Sequence, residues 1–457
     1  MTTLHPTVSP AGTTTRWAAL GLYLVAVVAF GISAYRSSSD PAWAFALALA
    51  IGLIARGMRL HRPVVPAHLT VSITSLLVAR LAYADGHPHI GFALIAVSGL
   101  ALVRPVGSVP QPDEHTRIFA LVQQSTDDPL APFTLNSAKS YFYNAAGTAA
   151  IAYRARAGIA VVSGDPVGHG DAFEDLLTQF VAFATSRGWR VAVLAASEHT
   201  TRLWRAGAGG RAPLRAVGIG CDVVVDVTRF SLRGREFRNL RQAVQRSRNA
   251  GVSTEIIAER DLPATVRRDL IGITSEARTG HQRRGFSMIL DHLLDGMHPG
   301  MMVVVARDRH GHPVGFQRYG TAHHGREWSL DVPWRSTRAP NGTDERMIVD
   351  VIDHVGRGGG TSVSLAFAPF PQLFSPTGSG TRRRALRRVL RLGSAVIALE
   401  SLYRYLDKFH APAGQRFALF GISYVLPAVF AMLTFEFVPH REHSPHRRGP
   451  CHRDREC

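Results

Sequence analysis

Arginines gathered in one segment are the residues of this sequence best suited to binding an anionic substrate. Residues Thr228–Ala250 hold seven arginines and a single acid, Glu236. Helical spacing places Arg238 and Arg241 on one face of a predicted helix, away from the apolar face that contains Leu240. A guanidinium stays charged and bonds phosphate oxygens in pairs, so this face could grip phosphates of RNA or of lipid head groups. A solvated helix face is the alternative interpretation.

The arginine excess extends over the whole chain. A second basic segment, Arg382–Arg391, has six arginines and no acid, and the chain carries 52 Lys+Arg against 34 Asp+Glu, a formal net charge of +18. This excess predicts polyanionic partners, namely nucleic acid, an anionic membrane or both. Lys139 and Lys408 are the only lysines. Such a bias is typical of GC-rich coding sequences, so part of the excess has no functional meaning.

Two glycine-containing junctions before predicted helices are further candidates for anion binding. Ser163–Gly170 (SGDPVGHG) follows a predicted strand, and Arg338–Glu345 (RAPNGTDE) occupies the corresponding position later in the chain. Glycines at such a junction allow backbone N–H groups to face an anion at the helix N-terminus. Neither segment has the spacing of a Walker A loop or of GxGxxG. A tight turn, held in the first case by Asp165, is the alternative.

The histidines and cysteines form no recognised catalytic or metal-binding pattern. The sequence has 21 histidines and three cysteines, but it lacks an HExxH motif, a GxSxG elbow and a zinc-ribbon arrangement. We therefore predict no metal and no cofactor, and we assign the histidines to the surface.

Four apolar runs precede the first predicted strand. They are Trp17–Tyr35, Ala42–Met58, Leu69–Tyr83 and Ile90–Val103. A membrane-spanning helix needs about 20 apolar residues, so we expect a transmembrane region of about four helices in residues 1–104. A cleaved signal peptide is the alternative for the first run. The arginines that flank these runs place the remainder of the chain in the cytoplasm by the positive-inside rule.

The remainder of the chain divides into two similar halves. A linker at 105–115 precedes a first half at 116–227 and a second half at 228–438, which begins with the basic connecting helix; a disordered basic tail follows at 439–457. Each half is a predicted three-strand meander followed by helix, strand, helix and strand. That order resembles the Gcn5-related acyltransferase (GNAT) fold in tandem, which makes the fold class α+β. For the apolar stretch at 417–438 we expect a strand and then a helix on the membrane surface, with a further span as the alternative.

Short motifs within residues 132–438 carry a more specific resemblance. In chain order they are AYR (Ala152–Arg154), GDPVG (Gly164–Gly168), Val225–Gly251, GFSM (Gly285–Met288), Ser329–Gly342, Ser364–Phe370 and Glu400–Phe420. Together they resemble the C-terminal domain of the phosphatidylglycerol lysyltransferases, the MprF-type aminoacyl-phosphatidylglycerol synthases. One departure is Gly220-Cys221-Asp222, where the family often has a glycine and two acids.

The resemblance implies transfer of an aminoacyl group, lysyl or another, from aminoacyl-tRNA to a hydroxyl of phosphatidylglycerol or a related lipid. The implied partners are aminoacyl-tRNA, an anionic phospholipid and the membrane. The resemblance also implies Asp331 as the base or as the group that orients the hydroxyl, and Arg335 as its catalytic companion. A structural carboxylate paired with Arg335 is the alternative for Asp331.

Five further residues are substrate-binding candidates. Lys408, with Arg335, is expected at the lipid phosphate or the tRNA terminus, and Arg238 and Arg241 are expected at the tRNA backbone. Asp165 and Glu400 complete the set, although Glu400 could simply pair with Arg404 one helical turn away.

Two other functions remain compatible with the residues. One is an acyl-CoA-dependent N-acyltransferase of the same fold, in which the junction before the helix carries a Q/R-x-x-G-x-G/A loop that grips pyrophosphate. Neither junction of this sequence matches that loop, which argues against acetyl-CoA as the donor. The other is a non-catalytic, membrane-bound protein that binds RNA or lipid through degenerate acyltransferase halves.

Overall fold

The computed structural model of the chain describes residues 42–60, 62, 66–206, 213–276, 285–369 and 405–437. The first predicted span (Trp17–Tyr35), the basic segment Arg382–Arg391, Glu400 and the tail at 439–457 lie outside these residues. The other candidate site residues lie within them.

Three apolar helices open the described chain. They are α1 (Ala42–Arg59), α2 (Pro66–Ala84) and α3 (Pro88–Leu102), and α3 packs against both of the others. In the described ranges, only Ala67–Ala84 is long and apolar enough to cross a membrane, judged by length and composition. The prediction of about four spans is therefore not confirmed.

In the described part of the chain, twelve strands form one sheet. They are β1 (Ser140–Tyr143), β2 (Ala149–Arg156), β3 (Ile159–Ser163), β4 (Val167–Gly168), β5 (Arg190–Ser197), β6 (Arg215–Asp226), β7 (Ser253–Ala258), β8 (Met301–Arg307), β9 (Pro313–Ala322), β10 (Glu327–Arg335), β11 (Ser362–Pro369) and β12 (Pro412–Phe420). Their order across the sheet is β1-β2-β3-β5-β12-β6-β11-β10-β9-β8-β7, with β4 paired to β2.

Seven helices accompany the sheet in the described part of the chain. They are α4 (His115–Gln124), α5 (Phe173–Ser186), α6 (Glu198–Ala206), α7 (Arg238–Asn249), α8 (Ala264–Glu276), α9 (Thr343–Arg357) and α10 (Val425–Phe437). The α5 helix is amphipathic, and its apolar face buries Leu176, Leu177 and Phe180 in one core with the first-half strands. The α9 helix buries Met347 and Ile348 in the core of the second half.

The two meanders predicted from the sequence are confirmed. β1, β2 and β3 pair antiparallel, and so do β8, β9 and β10. Each meander then crosses through a helix to a parallel neighbour, from β3 through α5 to β5 and from β10 through α9 to β11. Both crossovers put a helix N-terminus at the carboxyl end of a strand, which is where this kind of sheet presents its loops.

The last strand of the described chain lies apart from its neighbours in sequence. β12 pairs antiparallel with both β5 and β6, and so separates two strands of the first half. β6 in turn pairs with β11 of the second half. The two halves are thus joined into one sheet by an exchange that chain order alone does not predict.

Candidate functional site

The arginine-rich segment forms a cleft at the start of α7. The cleft has a volume of about 520 Å³ and is lined by the loop Leu232–Arg235 together with Arg238 and Arg241. The Arg241 guanidinium donates hydrogen bonds to the backbone carbonyls of Leu232 (2.5 Å) and Gly234 (2.7 Å). Arg241 therefore holds the loop in place. Arg238, which is predicted to contact phosphate, lines the same cleft.

A close backbone contact fixes α9 beside this cleft. Gly342 caps α9 with φ +92°, and a Cβ at this position would lie 2.0 Å from the Ala243 carbonyl oxygen of α7. Only glycine fits both the left-handed conformation and the approach. The first turn of α9 then presents two acids, Asp344 and Glu345.

Both acids of that turn are paired with predicted site residues. Arg335 lies 3.5 Å from Asp344, and the Lys408 ammonium donates to Glu345 at 2.9 Å. The two cations keep 40% and 38% of their side-chain exposure, so each is paired and still reachable from solvent. We call these four residues the α9 charge array.

The turn that carries Lys408 connects the array with the arginine cleft. His410, two residues later, lies 3.4 Å from the Glu236 carbonyl oxygen through its Nε2 and packs edge-on against Phe237. Arg335, Lys408, Arg238 and Arg241 are thereby brought to one continuous region at the junction of α7, α9 and the turn before β12.

The first glycine junction is a packed turn. The N–H of Gly164 donates to the Leu194 carbonyl at 2.8 Å, that of Gly168 to the Ser125 hydroxyl at 2.9 Å, and that of His169 to the Thr148 carbonyl at 3.0 Å. Three amides of the segment are therefore already used within the protein. This supports the tight-turn interpretation of Ser163–Gly170.

Asp331 is buried in the second half with both carboxylate oxygens engaged. Oδ1 accepts a hydrogen bond from the Leu290 N–H at 2.8 Å, and Oδ2 accepts one from Arg318 at 3.1 Å. Burial raises the pKa of this carboxyl above its usual range, opposed by the neighbouring Arg318. The predicted pairing of Asp331 with Arg335 is wrong, because Arg335 pairs with Asp344.

Arg318 is the centre of this buried group. Its Nε donates to Glu259 at 2.5 Å, its Nη1 to Asp331, and its remaining hydrogens reach the backbone carbonyls of Asp291 and His292. Glu259 also accepts from the Gly296 N–H at 3.1 Å. Each of the two carboxylates therefore has a backbone donor as well as the guanidinium; we call these three side chains the Arg318 cluster.

Asp165 belongs to a second buried group, centred on Arg416 of β12. Arg416 donates to Asp128 at 2.7 Å, to Asp165 at 3.2 Å and to Asp222 at 2.7 Å. Asp165 accepts in addition from the Ser197 N–H at 2.9 Å. The predicted role of Asp165 in its own turn is wrong, since its partners come from β12 and from the end of β5. We call these four residues the Arg416 cluster.

Sequence reasoning did not single out Arg318 or Arg416. The signal was present, because each arginine lies within a strand whose other residues are mostly apolar. A charge on a buried strand is rare unless it is paired, so such a position implies buried carboxylates elsewhere in the chain.

The family described as "Phosphatidylglycerol lysyltransferase, C-terminal" matches residues 119–420 of this sequence. The match includes the arginine cleft, the α9 charge array and both buried arginine clusters, over more than half of the chain. The chain belongs to this family. The resemblance drawn from the short motifs is confirmed.

Two relatives illustrate the range of the family. The chain is 43% identical over 402 residues to "MprF-like domain protein Rv1619" of Mycobacterium tuberculosis, covering 88% of this chain and 83% of that protein. It is 32% identical over 369 residues to "Lysylphosphatidylglycerol biosynthesis bifunctional protein LysX" of Rhodococcus jostii, covering 76% of this chain and 32% of LysX. The chain thus spans about a third of the length of the LysX relatives.

Two solved structures share the fold. The C-terminal domain of a putative lysylphosphatidylglycerol synthetase from Agrobacterium fabrum has a TM-score of 0.58 at 22% identity, covering 71% of this chain and 98% of that one. L-PGS from Bacillus licheniformis has a TM-score of 0.59 at 18% identity, covering 74% and 100%. The predicted α+β fold of the region after the apolar helices is confirmed.

Proposed function

We propose that this protein is a membrane-anchored aminoacyltransferase, which moves an aminoacyl group from aminoacyl-tRNA to a hydroxyl of phosphatidylglycerol or a related lipid. The observation that carries the proposal is the continuity of the arginine cleft with the α9 charge array. It brings phosphate-binding guanidinium groups beside exposed cations. Membership of the phosphatidylglycerol lysyltransferase family supports the same reaction.

The proposed reaction is a transesterification, in which the protein forms no covalent bond to either substrate. The lipid hydroxyl attacks the ester carbonyl of aminoacyl-tRNA, a new carbon–oxygen bond forms to the lipid, and the bond to the terminal ribose breaks. The proton of the lipid hydroxyl ends on the ribose oxygen. Since one ester replaces another, positioning of the two substrates is the main requirement. A positioned base and donors to the oxyanion would supply the rest.

Cations of the α9 charge array are assigned to the negative charges of the substrates. Arg335 and Lys408 are each exposed enough to exchange a carboxylate partner for a phosphate or for the developing oxyanion. Asp331 retains its proposed role as base or hydroxyl orienter. Both of its oxygens already accept a hydrogen bond, so as a base it would take the proton on a remaining lone pair of one of them.

An apolar helix face supports apposition to a membrane. Leu426, Phe430 and Leu433 lie on one side of α10 and are 80%, 72% and 52% exposed, while Met432 and Phe435 face the core. Thirteen residues are too few to span a bilayer of about 30 Å, so α10 fits a helix lying in the interface. Together with the candidate span at Ala67–Ala84, this face supports the membrane location.

The acyl-CoA alternative meets an electrostatic obstacle. In the GNAT arrangement the pyrophosphate would sit at the N-terminus of the crossover helix, where anions are favoured by the helix dipole. At the first crossover, the first turn of α5 holds Glu174 and Asp175, and these two carboxylates would repel a pyrophosphate there.

A transfer assay tests the proposal. Full-length protein in phosphatidylglycerol vesicles is incubated with tRNA charged with each radiolabelled amino acid in turn, and the label in the lipid phase is measured. We expect label with at least one amino acid, and its loss after ribonuclease treatment. No label with any amino acid, from protein shown to be folded, would contradict the proposal; retention on immobilised coenzyme A would then favour the N-acyltransferase.

Variants of the array sharpen the assay. Arg335→Ala and Lys408→Ala should each lower transfer by about tenfold or more, because each removes a charge-assisted contact to a phosphate or an oxyanion. Arg202→Ala is the matched control, since Arg202 is an exposed arginine that pairs with Glu198 on α6 at 3.4 Å. Equal activity of all three variants would leave the reaction in place and remove the array from it.

A further inference from the structure

The Arg416 cluster has more carboxylate than its own cation can satisfy. Three aspartates surround one guanidinium, and the four side chains keep only 2–10% of their exposure. The excess is two formal negative charges when all three carboxyls are ionised. Buried charges persist in proteins when they are paired and hydrogen-bonded, so an excess of this size is relieved either by protonation of a carboxyl or by another positive group.

One oxygen identifies where that group would bind. Asp128 Oδ1 accepts hydrogen bonds from Arg416 and from the Leu130 N–H, whereas the buried Oδ2 has no partner among the described residues. Asp128 as a whole is 8% exposed. An unpartnered, buried carboxylate oxygen lacks a donor that an ammonium group, with three N–H bonds, could provide.

The protein's own nearby cation is already committed. Lys139 is buried, but its Nζ donates to the Phe133 carbonyl at 2.7 Å and to the Ser163 hydroxyl at 2.9 Å. A metal ion is not supported either, because no group of three His, Cys, Asp or Glu within the described ranges could hold one. These facts favour an organic ammonium.

From this geometry we infer that the Arg416 cluster is a subsite for the ammonium group of the aminoacyl substrate, with Asp128 Oδ2 as its acceptor. The inference rests on the proposed function for the identity of the substrate. The ammonium is either the α-amino group or a side-chain amine, and both present the same three donors.

The place of the cluster in the fold suits this role. Lys408 lies in the turn just before β12, and Arg416 lies on β12 about 13 Å from the start of the strand. The pairing of β12 is also irregular here. Against β6 the register shifts between Pro412 and Gln415 and between Arg416 and Phe417, and against β5 it shifts between Phe417 and Leu419.

Electrostatics of the cluster agree with an ammonium ligand. Burial raises the pKa of Asp128, Arg416 lowers it and Asp165 raises it; the net change is from 3.8 to about 6. Burial likewise raises the pKa of Asp222. Lys139 is the other charged group that faces Asp128. A bound cation would stabilise the ionised carboxylate, so binding should strengthen as the pH rises through about 6.

Binding of small probes tests the inference. Full-length protein is titrated calorimetrically with alanine amide, Nα-acetyl-lysine amide and lysine amide, which carry an α-ammonium, a side-chain ammonium and both. Propionamide, which has no amine, is the negative probe. We expect at least one ammonium probe to bind and propionamide not to bind. Asp128→Asn should weaken that probe by about tenfold or more.

Glu259→Gln is the matched control, because Glu259 is also a buried carboxylate on an arginine but both of its oxygens are partnered. It should bind the probe as the wild type does. Folding of each variant is verified by its unfolding transition. Unchanged probe affinity in Asp128→Asn, or failure of every ammonium probe to bind the wild type, would overturn the inference.

Transfer kinetics separate this inference from the proposed function. Asp128→Asn should raise KM for the aminoacyl-tRNA more than it lowers kcat. Efficient transfer from a hydroxyacyl-tRNA, in which a hydroxyl replaces the amine, would overturn the subsite and leave the transferase intact. Binding of ammonium probes through Asp128 without any lipid transfer would support the subsite and contradict the transferase.

Discussion

The two buried arginine clusters both surround one guanidinium with carboxylates, but they differ in the number of carboxylates and in how fully these are hydrogen-bonded. In the Arg318 cluster, two carboxylates share the guanidinium and each also accepts a backbone N–H. In the Arg416 cluster, three carboxylates share one guanidinium, and Asp128 Oδ2 has no partner within the part of the chain that the structure describes. The comparison shows that a buried ion pair alone does not mark a site. What distinguishes the second cluster is the hydrogen bond that it leaves unmade.

Removal of each arginine should separate the clusters most strongly. Arg416→Gln leaves three buried carboxylates without a cation and should lower the free energy of unfolding by about 3–5 kcal/mol, the range for breaking a buried pair. Arg318→Gln should cost less, because it leaves two buried carboxylates instead of three and each of the two still has a backbone donor. Urea unfolding at pH 7.5 measures both. Equal losses of unfolding free energy in the two variants would contradict the proposed difference between the clusters.

Within the Arg318 cluster, the two carboxylates should differ in their effect on transfer activity. Asp331→Asn is expected to lower transfer by about 10²-fold if Asp331 acts on the lipid hydroxyl, the scale of general acid–base catalysis. Glu259→Gln removes charge from the same guanidinium without touching the proposed base, so it should leave kcat nearly unchanged. Equal loss in both variants would indicate that Asp331 serves only to hold Arg318.

The unmatched charge of Asp128 should appear as a stability difference that depends on pH. Because the folded-state pKa is raised from 3.8 to about 6, ionisation of Asp128 disfavours the folded state as the pH rises through that range. Asp128→Asn should therefore be more stable than the wild type at pH 8, by about 1 kcal/mol. The difference should shrink at pH 4.5. Urea unfolding at both pH values checks it, and a variant that is less stable at pH 8 would contradict the account.

The smallest effect is expected at the arginine cleft, where one arginine is hydrogen-bonded to the loop and its neighbour has no such bond. Arg238→Ala should weaken binding of aminoacyl-tRNA a few-fold and reduce the slope of log K against log[salt] by about 1, the sign of one lost phosphate contact. Arg241→Ala should also release the carbonyls of Leu232 and Gly234. We expect it to lower the unfolding free energy by roughly 0.5–1 kcal/mol as well. Filter binding over a salt series, with urea unfolding, distinguishes the two.

Local patterns predicted most of the elements. Ile159–Ser163 and Met301–Arg307 are strands of the two predicted meanders, because apolar β-branched runs bounded by turns favour a strand. The helix of the arginine segment was predicted from its apolar face and is α7. The position of β12 was not predictable in this way, since strand order depends on pairing between distant segments.

The partner of Asp331 shows why the site was harder to predict. A residue four positions away is a neighbour on a helix, but on a strand it lies about 13 Å along the chain. Arg335 is therefore out of reach of Asp331 on β10. The true partner is on the adjacent strand, where Arg318 pairs with Val332 next to a bulge at Asp331. Register and bulges are set by tertiary packing, which the sequence alone does not state.

The place of β12 has a consequence for synthesis of the chain. Asp128, Asp165 and Asp222 leave the ribosome long before Arg416, which is 288 residues after Asp128. Until β12 arrives, the first half lacks both a central strand and the only guanidinium that compensates these three acids within the described residues. A chain that stops before β12 would keep its first half open and its acids hydrated. The fold thus requires β12 before the first half can close, and truncated products that lack β12 remain open to proteolysis.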